Sequence, residues 1–251
     1  TLVLAGIAVA REVFTAVDPT VRVIRALADG SSATKGQAVL TVHGDAHSLL
    51  MAERVALNFL QHLSGIATLT ERFCHAVRGS RATILDTRKT TPGLRTLQKW
   101  AVTLGGGQNH RHSLGDGILI KDNHLLLLQG RHIDLAQACV LARKHAPHGL
   151  RISVEVQSLD QVREALQGAA DVILLDNMTP SLVRKAAALI KGRALIEVSG
   201  GITLQNVSEM AAAGADFISI GALTHSAPAA DLSMDITPTR RTPRRPRKQE
   251  R

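Results

Sequence analysis

The sequence predicts an α/β chain, a parallel barrel of alternating strands and helices joined to a smaller α+β domain. Three observations predict it. From about Ala82 onward, short apolar runs alternate with helical stretches, whereas the part before about Leu63 shows two strand-like runs and one long helix. Polar residues also gather where the apolar runs of the second part end. Continuous apolar strands spaced by helices signal a parallel sheet buried under those helices.

In the first part, Val21–Leu27 and Ala38–Val42 are predicted strands, joined through the turn-rich Asp29, Gly30, Ser31 and Ser32. A helix follows from about Ala46 to Leu63, ending near Ser64 and Gly65. In the second part the predicted strands are Ala82–Asp86, Gly117–Lys121, Ile152–Val156, Val172–Asp176, Ala194–Val198 and Phe217–Ile220, with a seventh near Ala101–Gly107. Helices are predicted at Leu159–Leu166 and Pro180–Lys191. Six or seven such strands favour a barrel, and a doubly wound open sheet is the alternative left open.

Composition narrows the function. The chain has 45% hydrophobic and 20% charged residues, as ordinary globular proteins do, and only 2% aromatics with no tyrosine. That excludes stacking platforms for single-stranded nucleic acid. The net charge of +9 is concentrated in the last fifteen residues, where seven basic residues face only Glu250, so the other 236 carry +3. With three prolines and no apolar periodicity, this tail (237–251) is expected to be a solvated, disordered segment, with a nucleic-acid arm as the alternative. Cys74 and Cys139 stand far apart and read as buried small hydrophobes in a reducing, cytoplasmic setting. No apolar run reaches the ~18 residues of a membrane span. The apolar opening TLVLAGIAVA has no basic segment before it and fits a signal peptide poorly; it begins in mid-pattern, so a preceding piece is expected.

The strand ends carry the chemistry. ILDTRKT ends in Asp86, Arg88 and Lys89; ILIKDNH ends in Lys121, Asp122, Asn123 and His124; ISVEV carries Glu155; VILLDN ends in Asp176 and Asn177. The last two strands run into Ser199, Gly200 and Gly201, and into Gly221. In parallel barrels the active site lies at these carboxyl ends, and glycine turns after the last strands hold phosphate on backbone N–H groups. Alternation puts Gly117, Leu119 and Lys121 on one strand face, and Ser153 with Glu155 on another, so Lys121 and Glu155 can reach one central pocket. Arg88, Lys89, His110, Arg111 and Lys121 would then crowd together against two carboxylates. Such like charges repel unless an anion arrives, which points to a polyanionic ligand rather than to surface ion pairs. Arginine grips planar carboxylates in a fork and lysine supplies a point charge. Glu155 and Asp176 suit Mg²⁺ shared with substrate phosphates. His43, His47, His62 and His75 lack ligand spacing and read as core or surface residues.

The segment DTRKTTPGLRTLQKWAVTLGGGQNHRHSLGDGILIKDNH, Asp86 to His124, closely resembles the signature of quinolinate phosphoribosyltransferases. ERVALNFLQHLSGIAT (Glu53–Thr68) looks like that family's interdomain helix, and VEVQSL, LLDNM, EVSGGIT and ISIGALTHSA continue the resemblance in order, from about Leu4 to Ile236. The resemblance implies an incomplete barrel of about seven strands (64–223), a partial N-terminal α+β sandwich (1–63), and a return to the small domain (224–236). It implies transfer of phosphoribose from phosphoribosyl pyrophosphate to quinolinate with loss of carbon dioxide, on the route to NAD. It also implies that Arg88, Arg111 and Lys121, helped by His110, grip the two carboxylates, while Lys89, Glu155 and Asp176 form the catalytic set. Glu155 and Asp176 would face ribose and Mg²⁺–pyrophosphate, and Ser199, Gly200, Gly201 and Gly221 would cradle the 5′-phosphate. A homodimer or larger assembly is implied, with Arg54 reaching into the neighbouring subunit's site, and an N-terminal helical segment before Thr1. The alternatives are a related phosphoribosyltransferase associated with molybdenum transport, acting on another acid, and an inactive phosphate- or nucleic-acid-binding protein.

Overall fold

The structure, a computed structural model, describes residues 1–238, so most of the arginine-rich tail, expected to be disordered, lies outside it. The first part contains β1 (Leu2–Val3), α1 (Ile7–Val17), β2 (Arg22–Ala26), β3 (Ser32–Ala33), β4 (Leu40–His43) and α2 (Ala46–Ala76). Then come β5 (Thr83–Leu85), α3 (Arg95–Leu104), β6 (Ile118–Ile120), α4 (Asp122–Gln129), α5 (Leu135–His145), β7 (Ile152–Val156) and α6 (Leu159–Gln167). The chain continues through β8 (Val172–Asp176), α7 (Pro180–Ile190), β9 (Leu195–Ser199), α8 (Val207–Ala212), β10 (Phe217–Ser219) and α9 (Ala222–His225).

β6, β7, β8, β9 and β10 pair in sequence order, all parallel, and β10 then pairs with β5, giving the order β5-β10-β9-β8-β7-β6. A first strand that pairs with the last is the connectivity of a barrel. Beyond β5 the sheet continues only as a single parallel bridge from Leu85 to Gln108. Among the described residues no ladder joins Gln108 to β6, so the sheet stays open on that side, consistent with an incomplete barrel. The seventh strand predicted at Ala101–Gly107 is therefore corrected. Those residues end helix α3, whose apolar face places Ala101 and Val102 in the core, and the sheet contact comes only after the glycines, at Gln108.

Helix α2 also departs from expectation. It runs on to Ala76 rather than stopping near Ser64 and Gly65, which lie inside it and are buried. The Ser64 hydroxyl is bonded to both the N–H and the carbonyl of Ala5, and Gly65 lets Pro228 pass close by. These residues mark contacts, not a helix end. Its amino half buries Leu49, Ala52, Ala56 and Leu60 in a small core with Leu4, Ile7 and Phe14, against which Leu232 and Met234 also pack. Its carboxyl half buries Leu63, Ile66, Ala67 and Phe73 in the main core, with the β7–β10 strands. One helix thus belongs to both cores. Helix α1, unassigned from sequence, lies along α2 and is capped by Asp29, which accepts the Ile7 and Ala8 N–H groups at 2.8 and 3.1 Å.

The β-ladder register lays the inward-facing residues in rows. Glu155 pairs with Leu174, Leu174 with Glu197, and Glu197 with Phe217; one step further along the strands, Asp176 pairs with Ser199 and Ser199 with Ser219. The opposite parity, Ile152, Val154 and Val156 on β7, is buried against the helices, as alternation predicts.

A Cβ added at Gly65 would stand 2.1 Å from the Pro228 carbonyl oxygen, with backbone on the far side that has no room to yield. Gly65→Ala is expected to cost about 1–3 kcal/mol or more of stability. A melting curve superimposable on that of the unsubstituted protein would contradict that packing.

Candidate active site

The polar residues at the carboxyl end of the sheet come together in three groups. The first is built on β5 and α3. Asp86 follows β5 directly and has no solvent exposure, nor does Lys99, and their Oδ1 and Nζ atoms lie 2.5 Å apart. The same Asp86 oxygen accepts the His110 N–H at 2.8 Å, and Lys99 donates to the His110 carbonyl at 2.9 Å. With its amide nitrogen turned to face the acceptors, Asn109 donates to Asp86 Oδ2 (2.7 Å) and to the Lys99 carbonyl (2.9 Å). Burial pushes the Asp86 carboxyl up and the Lys99 ammonium down, and their mutual bond opposes both shifts.

From this base His110 and Arg111 project into the site. His110 Nδ1 accepts the Arg111 N–H at 2.8 Å, which leaves the ring proton on Nε2, 3.5 Å from Glu197. Glu197 is buried and also accepts the Ser219 hydroxyl at 2.6 Å. Arg111 donates to the Gly117 carbonyl at 2.9 Å. Burial, and next the Arg88 charge, push its guanidinium down, while Glu197 and Asp116 pull it back. Arg88 and Arg111 are therefore electrostatic neighbours, as the strand-end reading requires.

The second group is Lys121 and Glu155, which meet at 2.5 Å across adjacent strand ends, with Lys121 45% exposed and Glu155 11%. Side-chain parity predicted that both reach one pocket, and here they touch. The third surrounds the glycine turns. Asp176 Oδ2 accepts from Asn177 (2.9 Å) and Gln157 (3.4 Å), and the Ser199 carbonyl accepts the Asn177 N–H at 2.8 Å. Gly200, at φ +89°, presses so closely on Asn177 that an added Cβ would lie 2.3 Å from its Oδ1. Lys89 is exposed, and its Cδ would be 3.3 Å from a Cβ on Gly221, so Lys89 lies over that glycine. Its carbonyl is held by the Thr224 hydroxyl at 2.8 Å.

Arg54 does not join these groups. It is 69% exposed on the amino half of α2, and its ion pair among the described residues is with Glu53 at 3.9 Å. Glu197, Lys99 and Gln98 were passed over in the sequence. The alternation Leu195, Glu197, Ser199 repeats that of Ser153 and Glu155 and marked Glu197 as inward-facing. Gln98 is buried and bonded to Thr91 and the Thr224 carbonyl, and its amide nitrogen lies 2.8 Å from His62 Nε2.

As to metal, among the described residues no group of three or more His, Cys, Asp or Glu could hold an ion. Glu155 and Asp176 remain two hard oxygen donors on neighbouring strands. That donor set fits a Mg²⁺ ion brought with substrate phosphates and not a resident ion caged by protein alone. Among the described residues no helix is long and apolar enough to cross a membrane.

Comparison with known proteins bears on the whole chain. Residues 66–235 match the family model of the quinolinate phosphoribosyl transferase C-terminal domain, and residues 1–64 match that of its N-terminal domain. The chain is 44% identical over 235 residues to a probable nicotinate-nucleotide pyrophosphorylase (carboxylating) of Bacillus subtilis, covering 94% of this chain and 80% of that one. It is 41% identical to quinolinate phosphoribosyltransferase (decarboxylating) 1b of Nicotiana tabacum, covering 93% and 70%. Among solved structures, NadC from Streptococcus pyogenes superposes with a TM-score of 0.86 at 43% identity, over 93% of this chain and 81% of that one. Nicotinate-nucleotide pyrophosphorylase from Ehrlichia chaffeensis superposes with 0.88 at 40% identity, over 94% and 84%.

Burial holds the pKa of His62 below its ordinary 6.5, and its Nε2 lies 2.8 Å from the Gln98 amide nitrogen. With the folded pKa depressed, the unfolded chain binds more protons below 6.5, so this contribution to stability is complete above that pH and is lost as pH falls through the folded value. Melting temperature measured against pH should decline below 6.5, and His62→Gln should flatten that decline. An identical slope in the variant would remove His62 as its source.

Proposed function

The chain belongs to the quinolinate phosphoribosyltransferase family, and from that membership we propose how its strand-end residues carry out the reaction. The enzyme joins quinolinate to phosphoribosyl pyrophosphate, giving nicotinate mononucleotide, pyrophosphate and carbon dioxide, in the biosynthesis of NAD. The observation that carries the assignment of roles is that Asp86, at the end of β5, holds the His110 N–H at 2.8 Å and so gathers His110 and Arg111 beside Arg88, whose charge acts on Arg111 against those of Glu197 and Asp116. A planar diacid relieves that repulsion. Arg88 and Arg111 grip the two carboxylates of quinolinate with help from His110 Nε2, and Lys121 supplies a further positive charge.

The sugar donor lies toward the other strand ends. Ser199, Gly200, Gly201 and Gly221 cradle the 5′-phosphate, and Lys89, lying over Gly221, holds donor phosphate from above. Glu155 and Asp176 would face the ribose and would be the residues to hold a Mg²⁺ ion brought with the pyrophosphate. The ion, when bound, offsets charge on the leaving group.

With both substrates held, the pyridine nitrogen forms a bond to ribose C1 as the C1–oxygen bond to pyrophosphate breaks, its electron pair leaving with the phosphate oxygen. The ring is now a cationic pyridinium. Its charge stabilises the electron pair left at C2 when the adjacent carboxylate departs as carbon dioxide, and C2 then takes up a proton. Positioning and charge complementarity are what this chain's own residues contribute.

A second copy of the chain is part of the reading. Arg54 stands on a helix face with the exposed apolar residues Leu50, Met51 and Val55, a surface suited to a like surface on another copy. From there Arg54 reaches the neighbouring subunit's diacid. Cys74 and Cys139 are free, with burial pushing both thiols up to about 11, and a reducing, cytoplasmic setting is part of this reading.

Arg111→Ala is expected to lose about 2–4 kcal/mol of transition-state stabilisation, read from kcat/KM in a carbon dioxide release assay with quinolinate and phosphoribosyl pyrophosphate. Turnover at the wild-type level would remove Arg111 from this role. Mixing inactive Arg54→Ala with inactive Arg111→Ala should restore part of the activity, because one site in a mixed pair would be intact. No recovery in an assembly shown to have exchanged subunits would contradict a shared site.

A further inference from the structure

We propose that Asp86 and Lys99 are positioning residues for the diacid, their buried ion pair clamping the His110–Arg111 peptide so that the imidazole and guanidinium face quinolinate. The inference rests on the functional reading above and deepens it by naming what sets the geometry of the diacid grip.

Neither side chain is exposed to solvent, so neither touches substrate. Burying two charges costs several kcal/mol per ion before their attraction is counted, and a well-packed apolar pair is often at least as stable. Stability alone is therefore a poor account of this pair, whereas its hydrogen bonds are specific. Asp86 takes the N–H of His110 and Lys99 takes its carbonyl, at 2.8 and 2.9 Å. Both peptide groups flanking one residue are thus fixed by one ion pair. The neighbouring Asn109 amide adds a third tie, to the other Asp86 oxygen. Downstream of this clamp, the Arg111 N–H fixes the His110 ring, and the ring directs Nε2 toward Glu197. Arg111 turns back to the Gly117 carbonyl, at the start of β6. The clamp spans the side of the barrel where no ladder holds the chain between Gln108 and β6. There the sheet supplies no register of its own, and a polar clamp replaces it.

The test uses the full chain. Lys99→Met alone would leave a buried carboxylate without its counter-charge and is liable not to fold, so the principal variant is Asp86→Asn with Lys99→Met, which removes both charges at nearly constant volume. The expected result is a folded protein whose KM and directly titrated Kd for quinolinate rise roughly tenfold to a hundredfold, with KM for phosphoribosyl pyrophosphate changed by less than about threefold. Ile190→Ala, a buried apolar truncation in α7, serves as a control for lost stability and is expected to leave both KM values in place. Should the double variant fail to fold, Asp86→Asn alone keeps the volume and leaves Lys99 its bond to His110, and a smaller rise confined to quinolinate is expected. A folded variant with unchanged quinolinate KM, or with equal rises for both substrates, overturns the inference. Failure of the unsubstituted enzyme to release carbon dioxide from quinolinate would instead overturn the functional reading itself.

Discussion

Positive side chains gathered at one end of the six-stranded sheet are the constraint on which this structure turns. Coulomb repulsion at a few ångströms, in a partly desolvated cleft, favours splaying the groups into solvent. The chain prevents that by three means. Strand register places the groups at one end of one sheet, buried carboxylates lie beneath or beside them, and backbone carbonyls accept their donors. Arg111 donates to the Gly117 carbonyl while the Glu197 charge acts on it, and Lys121 meets Glu155. Positive groups fixed in this way before a ligand arrives are preorganised for negative charge.

That arrangement explains features of the fold that would otherwise be incidental. Helix α2 contributes to both cores, and the close pass of Pro228 over Gly65 brings the segment after α9 back across it. Helix α3 turns two polar residues inward, Gln98 toward Thr91 and Thr224, and Lys99 toward Asp86 and His110. Through Thr224 the first of these links also reaches the Lys89 carbonyl. The loops bearing Lys89 and Arg111 are thus both tied to one helix.

Much of this was legible in the sequence. Apolar runs bounded by polar residues located each of the six strands to within a residue or two at each end, because a strand buried on both faces leaves an uninterrupted apolar stretch. Alternation in GILIK and ISVEV foretold the contact of Lys121 with Glu155. Two elements misled for a physical reason. The glycine run after α3 looks like a strand boundary, yet the helix persists to Leu104 because its periodicity is helical, and Ser64–Gly65 looks like a helix end although close packing is its cause. Lys99 stayed hidden because a lysine in a helix ordinarily faces water, and only the three-dimensional meeting with Asp86 shows otherwise. Glu197 was visible in principle, but a single acid inside an apolar run is easily read as part of the run.

The central claim is that the strand-end cations are poised for two carboxylates at once, and ligand-induced stabilisation tests it most directly. Melting temperature should rise with quinolinate, and the rise should shrink at high salt, whereas nicotinate, with one carboxylate, should give a much smaller shift at equal concentration. Equal shifts for the diacid and the monoacid, or no shift with either, would contradict the account.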